Sequence, residues 1–252
     1  MEIEMSDMTE FNPSNTLKGK HVLIVGGTSG IGLAAAIEAK GAGARLTVLG
    51  SDHKRSRTVA AEHGFEGWRA ADVTSPEAIQ MALSDIGHVD HLVLLAGTFV
   101  AGKVLEADVT YLRRAFEERI WAAIHILRIL GDNLSADASI TFISGALADR
   151  PNAYGTAVLA AASAAMEAFA RGLAVELAPR RVNTLSPGPI DTPILSKTLG
   201  DGRAAYLESL AQKLPLHRVG TAEEAGAAVV FLMANGWMNG AVLNIDGGSR
   251  LV

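Results

Sequence analysis

The chain has 252 residues, 49% hydrophobic and 19% charged, enough apolar side chain for one sizeable core in a single α/β domain. Its 22 Lys and Arg are scattered and outnumbered by 27 Asp and Glu, for a net charge of −5, which argues against nucleic acid or an anionic membrane as partner. Without cysteine there is no disulfide, thiolate metal site or cysteine nucleophile, and the composition fits a reducing, cytoplasmic compartment.

Met1 to Thr16 is polar and acidic, with neither the basic nor the apolar region of a signal peptide, and reads as a loose arm before a domain spanning 17–252. The alanine-rich segments are interrupted by Glu, Arg and Gly, so no membrane-spanning run is expected. The seven His neither cluster nor form HExxH, and no metal site is expected.

The first element is the most informative. Val22 to Val25 is a short apolar run, as in a buried parallel strand, and it breaks into Gly26-Gly27-Thr28-Ser29-Gly30-Ile31-Gly32 before an alanine-rich helix from Leu33 to Lys40. Glycines there let a ligand approach the backbone, and the helix start directs free N–H groups at an anion such as a pyrophosphate. Gly41 to Ala44 closes the helix and Arg45 to Gly50 gives a second strand. In dinucleotide sites an acidic residue at this strand end holds the ribose hydroxyls, whereas basic groups admit a 2′-phosphate. Here Gly50-Ser51 ends the strand, with Lys54, Arg55 and Arg57 just beyond, so NADP is favoured over NAD; Asp52 reads as a helix cap.

Further along, Thr58 to His63 is a short helix and Gly67 to Ala70 a third strand, left through Asp72-Val73, where Asp72 is placed to meet adenine. Ser75-Pro76-Glu77 opens a helix with a capping residue and a first-turn proline. Strand four, Asp90 to Leu95, ends in Ala96-Gly97, small enough for a flat ligand to lie against backbone. Leu112, Phe116, Ile120, Ile124 and Leu127 space one long helix over Val109 to Leu130. Strand five, Ser139 to Ile143, ends at Ser144, at the edge where open α/β sheets bind ligands.

Ala157 to Leu177 is a second long helix whose small residues, Ala161, Ala165 and Ala168 among them, suit close packing between subunits. Val182 to Leu185 is strand six, followed by Ser186-Pro187-Gly188-Pro189, and 194–215 loses strong pattern and reads as a helical lid. Thr221-Ala222-Glu223-Glu224 is a capping box, and Ala241 to Ile245 a last strand before Asp246-Gly247-Gly248. Strands and helices alternate throughout, so a single-domain, doubly wound parallel sheet with helices on both faces is expected.

Together these motifs resemble the short-chain dehydrogenase/reductase family over nearly the whole chain after Thr16. The resemblance rests on Gly26 to Gly32, Asp72-Val73, Ala96-Gly97, Leu173 to Leu177, Arg181-Val182-Asn183, Ser186-Pro187-Gly188, Asp191-Thr192-Pro193 and Asp246-Gly247-Gly248. It implies a Rossmann-like domain binding NAD(P), with Pro187, Gly188, Ile190 and Thr192 at the nicotinamide end, and a homodimer or homotetramer packed through the two long helices. It also implies a Tyr-x-x-x-Lys pair, a serine and an asparagine. Registered on Leu173 to Leu177, the pair reads Leu159 and Ser163, the asparagine position reads Arg119, and Ser144 is the serine that remains. Tyr154 is the nearest other tyrosine, and it or Arg119 stands beside Ser144 as a candidate catalytic group. Three functions fit: an NADP-dependent reductase of a carbonyl or imine with a rearranged proton donor, a non-catalytic NAD(P)-binding or regulatory protein, and a non-redox enzyme reusing the pocket.

Overall fold

The computed structural model describes residues 17–194 and 200–252; the expected arm and the middle of the expected lid, 195–199, lie outside the described residues. Strand β1 (His21–Val25) and helix α1 (Gly30–Gly41) open a regular alternation: β2 (Arg45–Gly50), α2 (His53–His63), β3 (Gly67–Ala70), α3 (Pro76–Leu83) and β4 (Val89–Leu94). There follow α4 (Val109–Phe116), α5 (Ala122–Leu130), β5 (Leu134–Ile143), α6 (Ala157–Glu176) and β6 (Arg181–Pro187). The chain continues through β7 (Ile190–Asp191), α7 (Arg203–Lys213), β8 (Gly220–Thr221), α8 (Ala222–Ala234) and β9 (Val242–Ile245). Seven strands form one parallel sheet in the order β3-β2-β1-β4-β5-β6-β9, and β7 pairs with β8 in a separate parallel ribbon.

The order reverses direction between β1 and β4, and at such a switch point the loops leaving the two strands part and open a crevice. Both faces of the sheet are apolar because helices cover both. On β1, Leu23 and Val25 join a core with α3, α5 and α6, whereas Val22 and Ile24 join one with α1, α2 and α8. Each fully buried Leu or Ile contributes about 1.5–3 kcal/mol relative to exposure. Gly226 lets α8 close on α1, since a Cβ there would lie 2.7 Å from the Ala35 backbone nitrogen.

Local signals decide the element ends. The Ser75 side chain accepts from the Ala78 N–H, and the Thr221–Glu224 capping box is complete. The expected short helix at 58–63 begins earlier, at His53, because Asp52 caps it through the Arg55 N–H at 2.7 Å. The expected long helix at 109–130 is interrupted by a π turn at Glu117–Trp121. By length and hydropathy α6 does qualify as a membrane span, contrary to the expectation of no such run. Its Leu159, Ala162, Met166, Ala170 and Leu173 are nevertheless buried inside the protein, which makes it a core helix.

Candidate functional site

The crevice begins at the turn after β1. Gly26 has φ +88°, and a Cβ on it would meet the Ala96 backbone nitrogen at 2.7 Å. At Gly32 a Cβ would fall 2.1 Å from the Gly26 carbonyl oxygen. This floor is backbone packed on backbone, with Ala96-Gly97 from β4 as its second wall. Gly30, at φ +53°, lies against the Thr192 side chain, so the loop and the segment after β7 meet. Ser29 is the N-cap of α1 but its side chain makes no capping bond, which leaves first-turn amides available to an anion. Thr28 is buried beneath Gly50, and Ile31 packs on the neighbouring core.

At the end of β2, Ser51 and Lys54 are exposed, and the Asp52 carboxylate is engaged as a cap. Arg55 Nε is buried with no hydrogen-bond partner among the described residues, a polar vacancy suited to a phosphate. Asp72 accepts from the Thr74 amide at 2.9 Å and its hydroxyl at 2.8 Å, and these bonds hold its carboxyl below the ordinary range. An open glycine floor, an uncapped helix start and an orphaned guanidinium nitrogen together fit a dinucleotide carrying a 2′-phosphate.

Between β4 and the π turn, Arg119 forms no ion pair among the described residues. Glu118, its neighbour, is bound by Arg114 at 2.7 Å and by the Thr98 amide at 2.6 Å, and Glu117 pairs with Arg113. Arg119 donates to the Ala115 and Thr98 carbonyls at 3.2 and 3.1 Å, and its guanidinium stands against Gly97. Loss of hydration pulls it below the usual arginine value, with Glu118 opposing. It lines a narrow cleft with Val25, Val73, Leu94, Ala96 and Ile143.

On the other side of the crevice, Ser144 donates its hydroxyl to Glu167 Oε1 at 2.7 Å. The sequence reading missed Glu167. One signal was present: Leu159, Ser163 and Glu167 recur every four residues and so share one face of α6. Leu159 and Ser163 are both 4% exposed. Ser186, fully buried at the end of β6, reaches the same Glu167 oxygen at 3.4 Å and accepts from Arg250 at 2.6 Å. Arg250 in turn pairs with Asp149 and Asp246. Gly188 lies against Asp246, which joins the Pro187-Gly188 turn to this network, and Ile190 packs on Gly220 in the β7–β8 ribbon. Tyr154 is not brought to Ser144: it is 83% exposed in a loop where its amide bonds Asn152, and no hydrogen bond joins its hydroxyl to the site.

A family model described as enoyl-(acyl carrier protein) reductase matches residues 25–250. The chain belongs to the short-chain dehydrogenase/reductase family. This short-chain dehydrogenase/reductase is 31% identical over 260 residues to the family member ATR9 of Stachybotrys chlorohalonatus, covering 94% of this chain and 99% of the relative. It superposes on the structure of the MalC reductase/Diels-Alderase from Malbranchea aurantiaca with a TM-score of 0.88 at 25% identity, over 96% and 100% of the two chains. L-sorbose reductase from Gluconobacter frateurii, solved with NADPH and L-sorbose, gives a TM-score of 0.83 at 28% identity over 92% and 96%. The short-chain dehydrogenase/reductase is thus an oxidoreductase by family, with a relative solved bound to NADPH.

Proposed function

We propose that the chain is an NADPH-dependent reductase that passes hydride to a carbonyl or imine carbon of a small molecule, using the family's serine, Ser144, together with Arg119, which stands where the family's pattern has an asparagine. The observation that carries this reading is the adenosine end: a glycine floor beside a strand end where, among the described residues, the Asp52 carboxylate is engaged as a cap and Arg55 Nε has no partner. When bound, the cofactor supplies a hydride from its nicotinamide ring.

In this reading Gly26 to Gly32 hold the pyrophosphate, with Thr28, Ser29 and Ile31 shaping the turn, and Ser51, Lys54 and Arg55 receive the 2′-phosphate. Asp72 and Val73 face adenine, Ala96 and Gly97 pass beneath the ligand, and Pro187, Gly188, Ile190 and Thr192 support the nicotinamide end. Arg119 has guanidinium N–H groups beyond the two given to carbonyls and can polarise or hold an oxygen of the substrate. The described part of the expected lid, 200–215, is assigned to covering the substrate, and a cytoplasmic setting suits a chain without cysteine.

The cofactor assignment is tested by fluorescence titration. NADPH should bind more tightly than NADH, Arg55→Ala should narrow the preference by about tenfold through loss of a charge-assisted bond, and Ser51→Asp should move it toward NADH. Equal binding of both cofactors by the unaltered protein would sink the assignment.

Self-association follows from the outer side of α6, where Ala161 and Ala168 are exposed and Ala165 half-buried, next to Trp121, 55% exposed on the π turn. Such a face suits close helix contact, and light scattering should show a dimer or tetramer at micromolar protein.

A further inference from the structure

The Ser144–Glu167 bond bears on which substrate this site accepts. A serine hydroxyl has one proton and two lone pairs. Ser144 gives its proton to Glu167 at 2.7 Å, so toward anything else in the crevice it presents lone pairs only. Ser186 acts alike: the Arg250 guanidinium can only donate, which occupies a Ser186 lone pair and leaves the Ser186 proton for Glu167. Glu167 is therefore held from two sides as an acceptor.

The charge balance points the same way. Glu167 is linked through Ser186 to the Arg250 guanidinium, which is itself paired with the carboxylates of Asp149 and Asp246, so that cation is already balanced; Arg119, the other cation of the site, lines the cleft with Ile143 and makes no contact with Glu167 among the described residues. The α6 residues one and two turns before Glu167 are Ser163 and Leu159, neither of them a cation, and Arg171, one turn after it, is exposed. A neutral ketone offers only lone pairs to Ser144, and binding it there would require breaking a charge-assisted bond. A protonated imine or amine offers an N–H to the Ser144 oxygen and a positive charge to Glu167.

We propose that Glu167, acting through Ser144, is a specificity-determining positioning residue that selects a cationic, N–H-bearing substrate, a protonated imine, over a neutral carbonyl. The inference rests on the reductase reading and narrows its substrate class. In the reaction, a C–H bond of the reduced nicotinamide breaks and its electron pair forms a C–H bond at the imine carbon. The C=N π pair returns to nitrogen as a lone pair, so the nicotinamide is oxidised, the imine reduced to a neutral amine, and no proton is consumed. An apolar Leu159 is then compatible with turnover.

The test is calorimetric binding with oxidised NADP, under which nothing turns over, and again without cofactor. The probes are protonated 2-phenylpyrrolidine, a cationic product-like amine, and the neutral 2-phenylcyclopentanone. The expected result is at least tenfold tighter binding of the amine. Glu167→Gln, which keeps the shape and removes the charge, should erase that ratio while NADP affinity and the melting temperature stay within error. Ser144→Ala should weaken the amine alone, and serves where Glu167→Gln does not fold. Ketone binding as tight as amine binding, or an unchanged ratio in the variants, overturns the proposal. Failure of NADP to bind would instead overturn the reductase reading, while the amine-to-ketone ratio measured without cofactor would still judge Glu167.

Discussion

Gly32→Ala is expected to lower NADPH affinity by about a hundredfold or more. The added Cβ would sit 2.1 Å from the Gly26 carbonyl oxygen and 2.8 Å from its carbon, and both are backbone atoms that cannot rotate away. Overpacking of this kind costs about 1–3 kcal/mol or more. The relief open to the chain is to move the β1–α1 turn or the start of α1, the two features that would face the pyrophosphate. Gly41→Ala is the matched control, since nothing lies within 4 Å of a Cβ there and alanine favours the helical state. It should bind NADPH normally and melt no lower. Fluorescence titration and thermal melts on both variants decide the matter, and binding by Gly32→Ala within threefold of the parent would show that this loop does not hold the cofactor.

Arg119→Ala is expected to lower kcat by about 10² to 10³, the range seen when a donor aimed at a reacting oxygen is removed. The reasoning is that a guanidinium held by two carbonyls and paired to no carboxylate among the described residues keeps donors and charge in reserve. Arg119→Lys should recover little, because an ammonium cannot bond the Ala115 and Thr98 carbonyls in the same fork and still present an N–H to the cleft. Tyr154→Phe should leave kcat within twofold, as expected of a hydroxyl that meets solvent. Steady-state NADPH oxidation with a reducible ketone, whose oxygen Arg119 would polarise, measures all three. A large loss in Tyr154→Phe beside a neutral Arg119→Ala would reverse the assignment.

The fold could be read from the chain because its cues are local. A short apolar run followed by spaced glycines is a strand feeding a helix, and Ser75 and Thr221 mark helix starts by chemistry confined to one turn. The π turn could not be read this way. Leu112, Phe116 and Ile120 keep four-residue spacing straight through it, and the wider turn shows itself only where Glu118 is buried against Thr98. Asp52 was legible as a cap, yet the basic residues after it were read for their charge toward a 2′-phosphate and the helix was begun at Thr58, so α2 read too short.

The site was half legible for the same reason. Its glycines and strand-end residues announce themselves by type and position. The link from Ser144 to Glu167 spans 23 residues and that from Ser186 to Arg250 spans 64, and no periodicity records either. Tyr154 was chosen by proximity in sequence, and in a loop closed by bonds among Asn152, Tyr154 and Thr156 its side chain is exposed.

The ribbon of β7 and β8 pairs Ile190 with Gly220 and Asp191 with Thr221, so the two ends of the segment between them are held at adjacent points. Between them runs the whole stretch from Thr192 to Val219. Because the ribbon closes that loop, a replacement of similar length adds little closure entropy, which grows only as the logarithm of length. The stretch is in effect a cassette. Exchanging it between relatives of this fold should change the size and shape of acceptor admitted, while the glycine floor, the sheet and the charge preference set by the Ser144–Glu167 pair stay in place, and this gives recombination a natural pair of crossover points.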